Sequence, residues 1–305
     1  MSIIVLLNSR SGPPTRTTSA DDVRAAFAKQ SVEVHVVTLQ AGASPEDAAR
    51  QAVADGYETI VAAGGDGTIS GVASAVAGTD RVRGVLPLGT LNHFAKDLGL
   101  PRELEAAVEV IVHGRSLRID VAEVNGRIFV NNSSIGLYPA LVHEREGQQK
   151  LGKGKWSAFV LAMWTVLGRY PLIHVSLKIG EQTIHRKTPL VFVGNNAYEL
   201  HGLNLGTRRC LNENELCIYV TRDVGRLRLC WFAVQALCGR LRDAEDFDAF
   251  SAGELTIATR GRKIRVATDG EVNRLAPPLE YRIRPQSLSV MVPVPPPVAD
   301  VAATS

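Results

Sequence analysis

The sequence has little that would staple a chain together from outside its own packing. Its four cysteines, Cys210, Cys217, Cys230 and Cys238, form no Cys-x-x-Cys pair. That argues against a disulfide framework or a thiolate zinc site and for reduced thiols in a cytoplasmic protein. The seven histidines show no His-Glu-x-x-His or comparable ligand spacing. Long apolar runs are missing too. The best candidate, 156–168 (WSAFVLAMWTVLG), is bounded by Lys155 and Arg169 and falls well short of the ~20 residues that a spanning helix needs. The N-terminus has no basic leader, and its apolar run at 3–7 is short, so it reads as a first strand and not as a signal peptide. Charge of one sign is also scarce: 34 Lys and Arg stand against 31 Asp and Glu, a net charge of +3. With no RNP-like or zinc-finger spacing, that bias is too weak to argue for nucleic acid.

What is present is a chain of 305 residues, 45% hydrophobic and 21% charged, long enough for two ordinary domains with cores of their own. Up to about residue 121, buried strand patterns at 3–7, 32–37, 59–63, 85–88 and 117–121 alternate with helical ones. Ser44-Pro45-Glu46-Asp47 is a helix start, with a capping hydroxyl, a proline at the first position and acids in the first turn. Gly56 is placed to end that helix. Alternation of this kind predicts an α/β domain with a mostly parallel sheet covered on both faces. From 122 the pattern changes. Asn125-Gly126 is a hairpin signal. Short strand patterns follow at 172–179, 183–186, 190–193, 216–220, 254–258, 264–267, 279–283 and 288–292. Residues 122–292 therefore read as an antiparallel β-sandwich domain with two helical insertions, near 156–168 and 225–241. The Pro/Ala-rich tail 293–305 reads as disordered.

The strongest local signal is Gly64-Gly65-Asp66-Gly67-Thr68, directly after one strand and before one helix. Glycines there let backbone N–H groups approach phosphate oxygens, and the helix N-terminus favours the negative charge. A chance match to this pentapeptide in such a chain is roughly a few in ten thousand. It is neither the dinucleotide G-x-G-x-x-G nor the G-x-x-x-x-G-K-[ST] loop. Asp66 cannot face a phosphate without repulsion, so it suits Mg²⁺ or a ribose hydroxyl. A second loop, Gly89-Thr90-Leu91-Asn92, follows the next strand. The first strand ends in Asn8-Ser9-Arg10-Ser11-Gly12, and the second ends at Thr38. Polar and glycine residues at four strand ends describe one extended nucleotide site, because ligands bind at that edge of a parallel sheet.

In order along the chain, GGDGT at 64–68, PLGTLNHFAKDLGLP at 87–101, IDVAEVNG at 119–126, NNSSIGL at 131–137 and Asp269-Gly270-Glu271 resemble the bacterial members of the diacylglycerol kinase/sphingosine kinase family. The resemblance spans nearly the whole chain. It implies an N-terminal domain similar to NAD kinase and phosphofructokinase, a β-rich second domain and ATP in the cleft between them. It also implies transfer of the γ-phosphate to a lipid hydroxyl with Mg²⁺. Carried over by match, Asn8, Gly12, Thr38, Gly64, Gly65, Asp66, Gly67, Thr68, Gly89, Thr90 and Asn92 hold the nucleotide. Asp66, Asp269 and Glu271 form the catalytic set, with Glu271 the candidate base. The chain departs from the family at three places. Ser70 and Gly71 stand where Asn-Glu is common, and His93 where Asp is common. Asn212-Glu213-Asn214 replaces a metal-binding Asp-Asp-Gly, leaving Glu213 as the candidate ligand.

Two segments combine basic and aromatic residues in the way an anionic lipid interface favours. One is Lys150, Lys153 and Lys155 ahead of Trp156; the other is Arg222, Arg226 and Arg228 around Trp231 and Phe232. Peripheral contact with the inner face of the membrane is the expectation. A lipid kinase is the leading reading. An NAD kinase-like small-molecule kinase and a non-catalytic nucleotide- or lipid-binding protein are the alternatives, the last suggested by Ser70 and Gly71.

Overall fold

The computed structural model describes residues 2–11, 18–137, 139, 172–197, 211–222 and 247–294. Strands β1 (Ile3–Leu7), β2 (His35–Thr38), β3 (Thr59–Gly64) and β4 (Val82–Pro87) run parallel in the order β2-β1-β3-β4. β1 and β3 are buried at every position, because helices cover both faces. Ile3, Val5, Leu7, Val61 and Ala63 pack under α1 (Ala20–Ala28) and α5 (Leu104–His113). Ile4, Leu6, Ile60 and Ala62 pack under α2 (Pro45–Ala54), α3 (Asp66–Val76) and α4 (His93–Asp97). The period of two, apolar on both faces, is that of a sheet sandwiched between helices. α2 begins as its sequence dictates. The Ser44 hydroxyl accepts from Asp47 N at 3.2 Å, Pro45 holds the first position, and Gly56 follows the helix with φ +87°. A cap of this kind is worth about 1 kcal/mol.

Beyond α5 the described elements are strands, apart from helical positions at Leu137 and Pro139. β5 (Arg115–Val124) and β6 (Arg127–Phe129) form a hairpin over Asn125 and Gly126, both at positive φ, the turn that Asn-Gly favours. β7 (Asn132–Gly136), β8 (Ile173–Ile179), β9 (Gln182–Thr188), β10 (Leu190–Asn195) and β11 (Leu216–Thr221) follow. The last five are β12 (Phe247–Ala252), β13 (Glu254–Thr259), β14 (Ile264–Thr268), β15 (Glu271–Leu275) and β16 (Leu279–Val292). One antiparallel sheet has the order β12-β11-β10-β7-β14-β15. It faces β13, β8 and the first half of β16 across a core that includes Phe129, Ile135, Val191, Ile218, Ile257 and Tyr281. This is the expected sandwich.

The structure departs from the sequence reading at several elements. The runs 279–283 and 288–292 are one strand, β16, whose pairing with β5 shifts between Arg284 and Leu288. At that bulge Gln286 takes φ +46°, and its N–H donates to Asp120 Oδ1 at 2.8 Å. Past the bulge, β16 pairs in parallel with β4, matching Ser289 to Val82 and Val290 to Arg83. The parallel sheet therefore continues into the sandwich across the boundary at 121, and β16, the last strand among the described residues, serves both. β7, β12 and β15 carry too many polar residues for a strand pattern to show. The second strand lies at 35–38 and not at 32–37. The helical insertions at 156–168 and 225–241 and all but the start of the tail lie outside the described residues. No helix among the described residues is long and apolar enough to cross a membrane.

Candidate functional site

The order β2-β1-β3-β4 brings Thr38, Asn8, Gly64 and Pro87 to neighbouring strand ends on one edge of the sheet. Asn8 Nδ2 donates to Thr68 Oγ1 at 3.1 Å, tying the first loop to the glycine loop. Gly64 is obligatory here, because a Cβ on it would lie 2.6 Å from Thr68 Oγ1. A Cβ on Gly89 would lie 2.5 Å from the Gly65 Cα, so the two glycine loops touch backbone to backbone. Gly65 precedes α3 in extended conformation and offers no capping side chain. The first-turn N–H groups of Asp66, Gly67 and Thr68 thus keep the capacity to bind an anion. Asn92 holds the second loop in place. It sits at φ +52° and donates through Nδ2 to Pro87 O at 3.0 Å and Gly89 O at 2.8 Å. Asn92 Oδ1 and Asp66 Oδ1 are buried and have no hydrogen-bond partner. Two orphaned acceptors beside an uncapped helix start fit a phosphate-bound cation or a ribose hydroxyl. The Thr90 carbonyl accepts from Arg102 Nη2 at 3.2 Å. Gly12 lies outside the described residues.

Asp269 and Gly270, at φ +48° and +89°, form the two-residue turn between β14 and β15, with Thr268 opposite Glu271. The Asp269 carboxylate folds back as a clasp. It accepts from Val130 N at 2.8 Å, Asn131 N at 2.8 Å and Asn132 N at 3.1 Å, and from the Ser70 hydroxyl. Burial raises the pKa of this carboxyl, against the pull of the Ser70 hydroxyl and the three N–H groups. Ser70 stands on α3, 199 residues from Asp269 in sequence, so the clasp fastens the β14–β15 turn to the helix that carries the glycine loop. The consequence is a close approach: a Cβ on Gly67 would lie 3.5 Å from Glu271 Oε1. Glu271 is exposed and leans over the glycine loop.

Both residues of the first departure from the family pattern thus have local roles. Ser70 completes the clasp. Gly71 lets α3 meet the start of α2, because a Cβ on it would lie 3.1 Å from Pro45 Cβ and 3.3 Å from Glu46 N. The sequence reading missed Ser70 as a tie, although it lies one helical turn from Asp66 and Gly67 and so shares their face.

The third departure concerns a metal. Glu213 Oε2 accepts from Ala197 N at 3.2 Å, and Glu213 N donates to Asn196 Oδ1 at 3.0 Å. Nearby, Asp120 is fully buried and accepts from Asn214 N at 2.9 Å and Gln286 N at 2.8 Å. No group of three or more His, Cys, Asp or Glu that could hold a metal occurs among the described residues. Of the Glu213 carboxylate, Oε2 accepts this one backbone N–H. Both Asp120 oxygens are thus engaged by backbone N–H groups. Arg83, on β4, is fully buried with no hydrogen-bond partner on any of its three side-chain nitrogens, and its guanidinium lies 4.5 Å above the Phe94 ring. Burial lowers its pKa to about 9, and the charge of Asp269 acts the other way.

Comparison with known proteins places this geometry. Residues 2–124 match the family model described as the diacylglycerol kinase catalytic domain. The diacylglycerol kinase of Staphylococcus carnosus is 27% identical over 161 residues, covering 52% of this chain and 53% of the relative. A Citrobacter koseri protein named "Probable lipid kinase YegS-like" is 37% identical over 139 residues, covering 43% of this chain and 46% of its own. The alignments thus span about half the length of these relatives. A solved structure of a diacylglycerol kinase from Bacillus anthracis superposes with a TM-score of 0.68 at 18% identity, over 95% of this chain and 96% of that one. That likeness extends the shared fold to both sheets. Residues 2–124, which carry both glycine loops, are thus the part of the chain that is similar to the diacylglycerol kinase catalytic domain.

Proposed function

We propose that the chain transfers the γ-phosphate of ATP to the hydroxyl of a diacylglycerol-like lipid, with ATP in the cleft between the parallel sheet and the sandwich. The observation that carries this reading is the Glu271 carboxylate leaning over the glycine loop at Gly67. A phosphate cradle and a carboxylate able to orient a hydroxyl are the two parts that phosphoryl transfer requires of a protein. In this reading the N–H groups at the start of α3 and the second glycine loop hold the phosphates. Asn8 and Thr38 border the nucleotide. Asp66, with its orphaned oxygen, would hold Mg²⁺, which commonly takes one or two carboxylates plus phosphate oxygens and would neutralise charge on the transferred group. Glu271 accepts the proton of the lipid hydroxyl as the new O–P bond forms and the bond to ADP breaks. Asp269 and Ser70 are positioning residues that fix Glu271 against the loop. The non-catalytic alternative drew on Ser70 and Gly71, and the packing roles of both remove that motive.

The test is Glu271→Gln, assayed with a panel of lipid acceptors and with NAD at saturating ATP. The amide preserves size and one acceptor oxygen, so folding and binding of an ATP analogue should be unchanged. Turnover should fall by about 10²–10⁴-fold, the usual contribution of a positioned base. Turnover near that of the wild type would remove Glu271 from the mechanism. Phosphorylation of NAD and of no lipid would replace the acceptor.

A further inference from the structure

The sandwich has one end where positive charge collects. The β13–β14 turn, Thr259-Arg260-Gly261-Arg262-Lys263, crosses from one sheet to the other there, and 260–263 are exposed. Two shallow concavities flank the turn and share Thr259 and Arg260. Their lining includes His174, Lys187, Arg260, Lys263, Arg265 and Arg274, and neither contains a carboxylate. In a chain with 34 basic and 31 acidic residues, a lining with this many basic side chains and no carboxylate is a local excess of positive charge. Arg186 also lines the first concavity and is paired to Asp248 at 3.1 Å.

The β14–β15 ladder strengthens the case. It sets Arg265 directly opposite Arg274, on the same face and within reach of each other. Like charges at opposed positions destabilise an antiparallel pair, so folding alone does not call for this arrangement; an anionic partner does. Half-buried Ile173 and Ile264 line the second concavity beside these charges, and no Phe, Tyr or Trp lines either one. Aliphatic groups beside basic ones match the boundary between headgroups and acyl chains. A groove for single-stranded nucleic acid would offer Phe, Tyr or Trp faces on which bases stack. The chain also leaves β7 at Gly136 and enters β8 at Ile173, both on this surface.

From this juxtaposition we infer that the β13–β14 end of the sandwich is the surface that docks on an anionic phospholipid bilayer. The choice of partner rests on the lipid-kinase reading. The same hairpin carries Glu271 at its other end, four residues or about 14 Å along β15 from Leu275, so docking here presents the membrane to the sandwich beside the strand that bears the candidate base.

The experiment is sedimentation of the whole chain with vesicles of phosphatidylcholine alone or of an equimolar mixture with phosphatidylglycerol, over a series of salt concentrations. The wild type should bind the anionic vesicles at low salt, lose them as salt rises, and leave the neutral ones. Lys187→Glu/Arg260→Glu/Lys263→Glu should weaken partitioning by about 100-fold, taking roughly fivefold for each basic residue at an anionic surface. All three sites are exposed, and circular dichroism with ATP-analogue binding checks that the fold is kept. The matching Gln variants should fall between the two. Anionic-vesicle binding that ignores the three substitutions, equal binding to neutral vesicles, or absence of binding by the wild type overturns the assignment. So does tighter binding of an oligonucleotide that the same substitutions abolish. Failure of the kinase reading is seen separately, as no transfer to any lipid by protein that still binds vesicles.

Discussion

Replacing Asp269 by Asn separates the clasp from the turn it sits on. Asn tolerates positive φ as Asp does, and Asn125 already holds φ +48° in the β5–β6 hairpin, so the turn survives. The hydrogen bonds do not. If the amide nitrogen takes the place of Oδ1, the N–H groups of both Asn131 and Asn132 lose their acceptor. If it takes the place of Oδ2, Val130 N–H is orphaned, while the Ser70 hydroxyl can rotate and accept. The second arrangement is the cheaper. One unsatisfied buried N–H costs about 1–3 kcal/mol, and the surviving bonds lose the strength that a charged acceptor gives them. Relief from burying a charge offsets part of this, leaving a destabilisation of about 2–4 kcal/mol. Urea unfolding at neutral pH measures it as a lower midpoint at unchanged slope. Because the clasp positions Glu271, turnover should fall while ATP-analogue affinity holds. A variant within about 0.5 kcal/mol of the wild type, the ordinary range for a surface change, refutes the clasp.

The glycine loops give a paired test. Gly65→Ala meets only an ordinary contact at 3.5 Å, so the protein should fold and lose affinity for an ATP analogue in calorimetry, whereas Gly89→Ala, at 2.5 Å from the Gly65 Cα, should lower the thermal midpoint as well. Unchanged affinity in folded Gly65→Ala would remove the phosphates from this loop. Arg83→Met should stabilise the protein by about 1–4 kcal/mol, as removing a poorly compensated buried charge often does, read as a higher thermal midpoint; a lower one would show that the guanidinium has a partner. The pH dependence has a definite sign. The Arg83 pKa falls from its ordinary value to about 9 on folding, so between those two values the unfolded chain binds more protons and this group makes stability rise with pH. Relative to Arg83→Met, the wild type should gain stability above pH 9 and show its full deficit below it.

Periodicity made the parallel sheet legible, since strands such as β1 and β3 are apolar on both faces and their helices carry strong start signals. Both glycine loops could be placed for the same reason, each following an unmistakable strand. The sandwich was legible only in part. β7, β12 and β15 hold Asn132-Ser133-Ser134, Asp248 and Glu271-Val272-Asn273-Arg274, whose pairing is set by tertiary neighbours and not by an alternating pattern. Position Ser70 looked like erosion of the site because its partner lies on a turn far away in sequence, and no spacing rule reaches that far. The same holds for Asp120, a motif residue whose buried carboxylate is spent on two backbone N–H groups from distant loops.

The path of β16 bears on how the protein can be divided and how it is made. Leu288, Val290 and Val292 belong to the core beneath α2, α3 and α4, although residues 2–124 suffice to match the family model. The recognisable catalytic segment is therefore not a self-contained folding unit. On the ribosome, the edge of β4 must wait for nearly the whole chain before its neighbour arrives, and the core stays open until then. A fragment ending at Val124 should expose both, and a split or fused version of this protein will need the last strand supplied along with the first half.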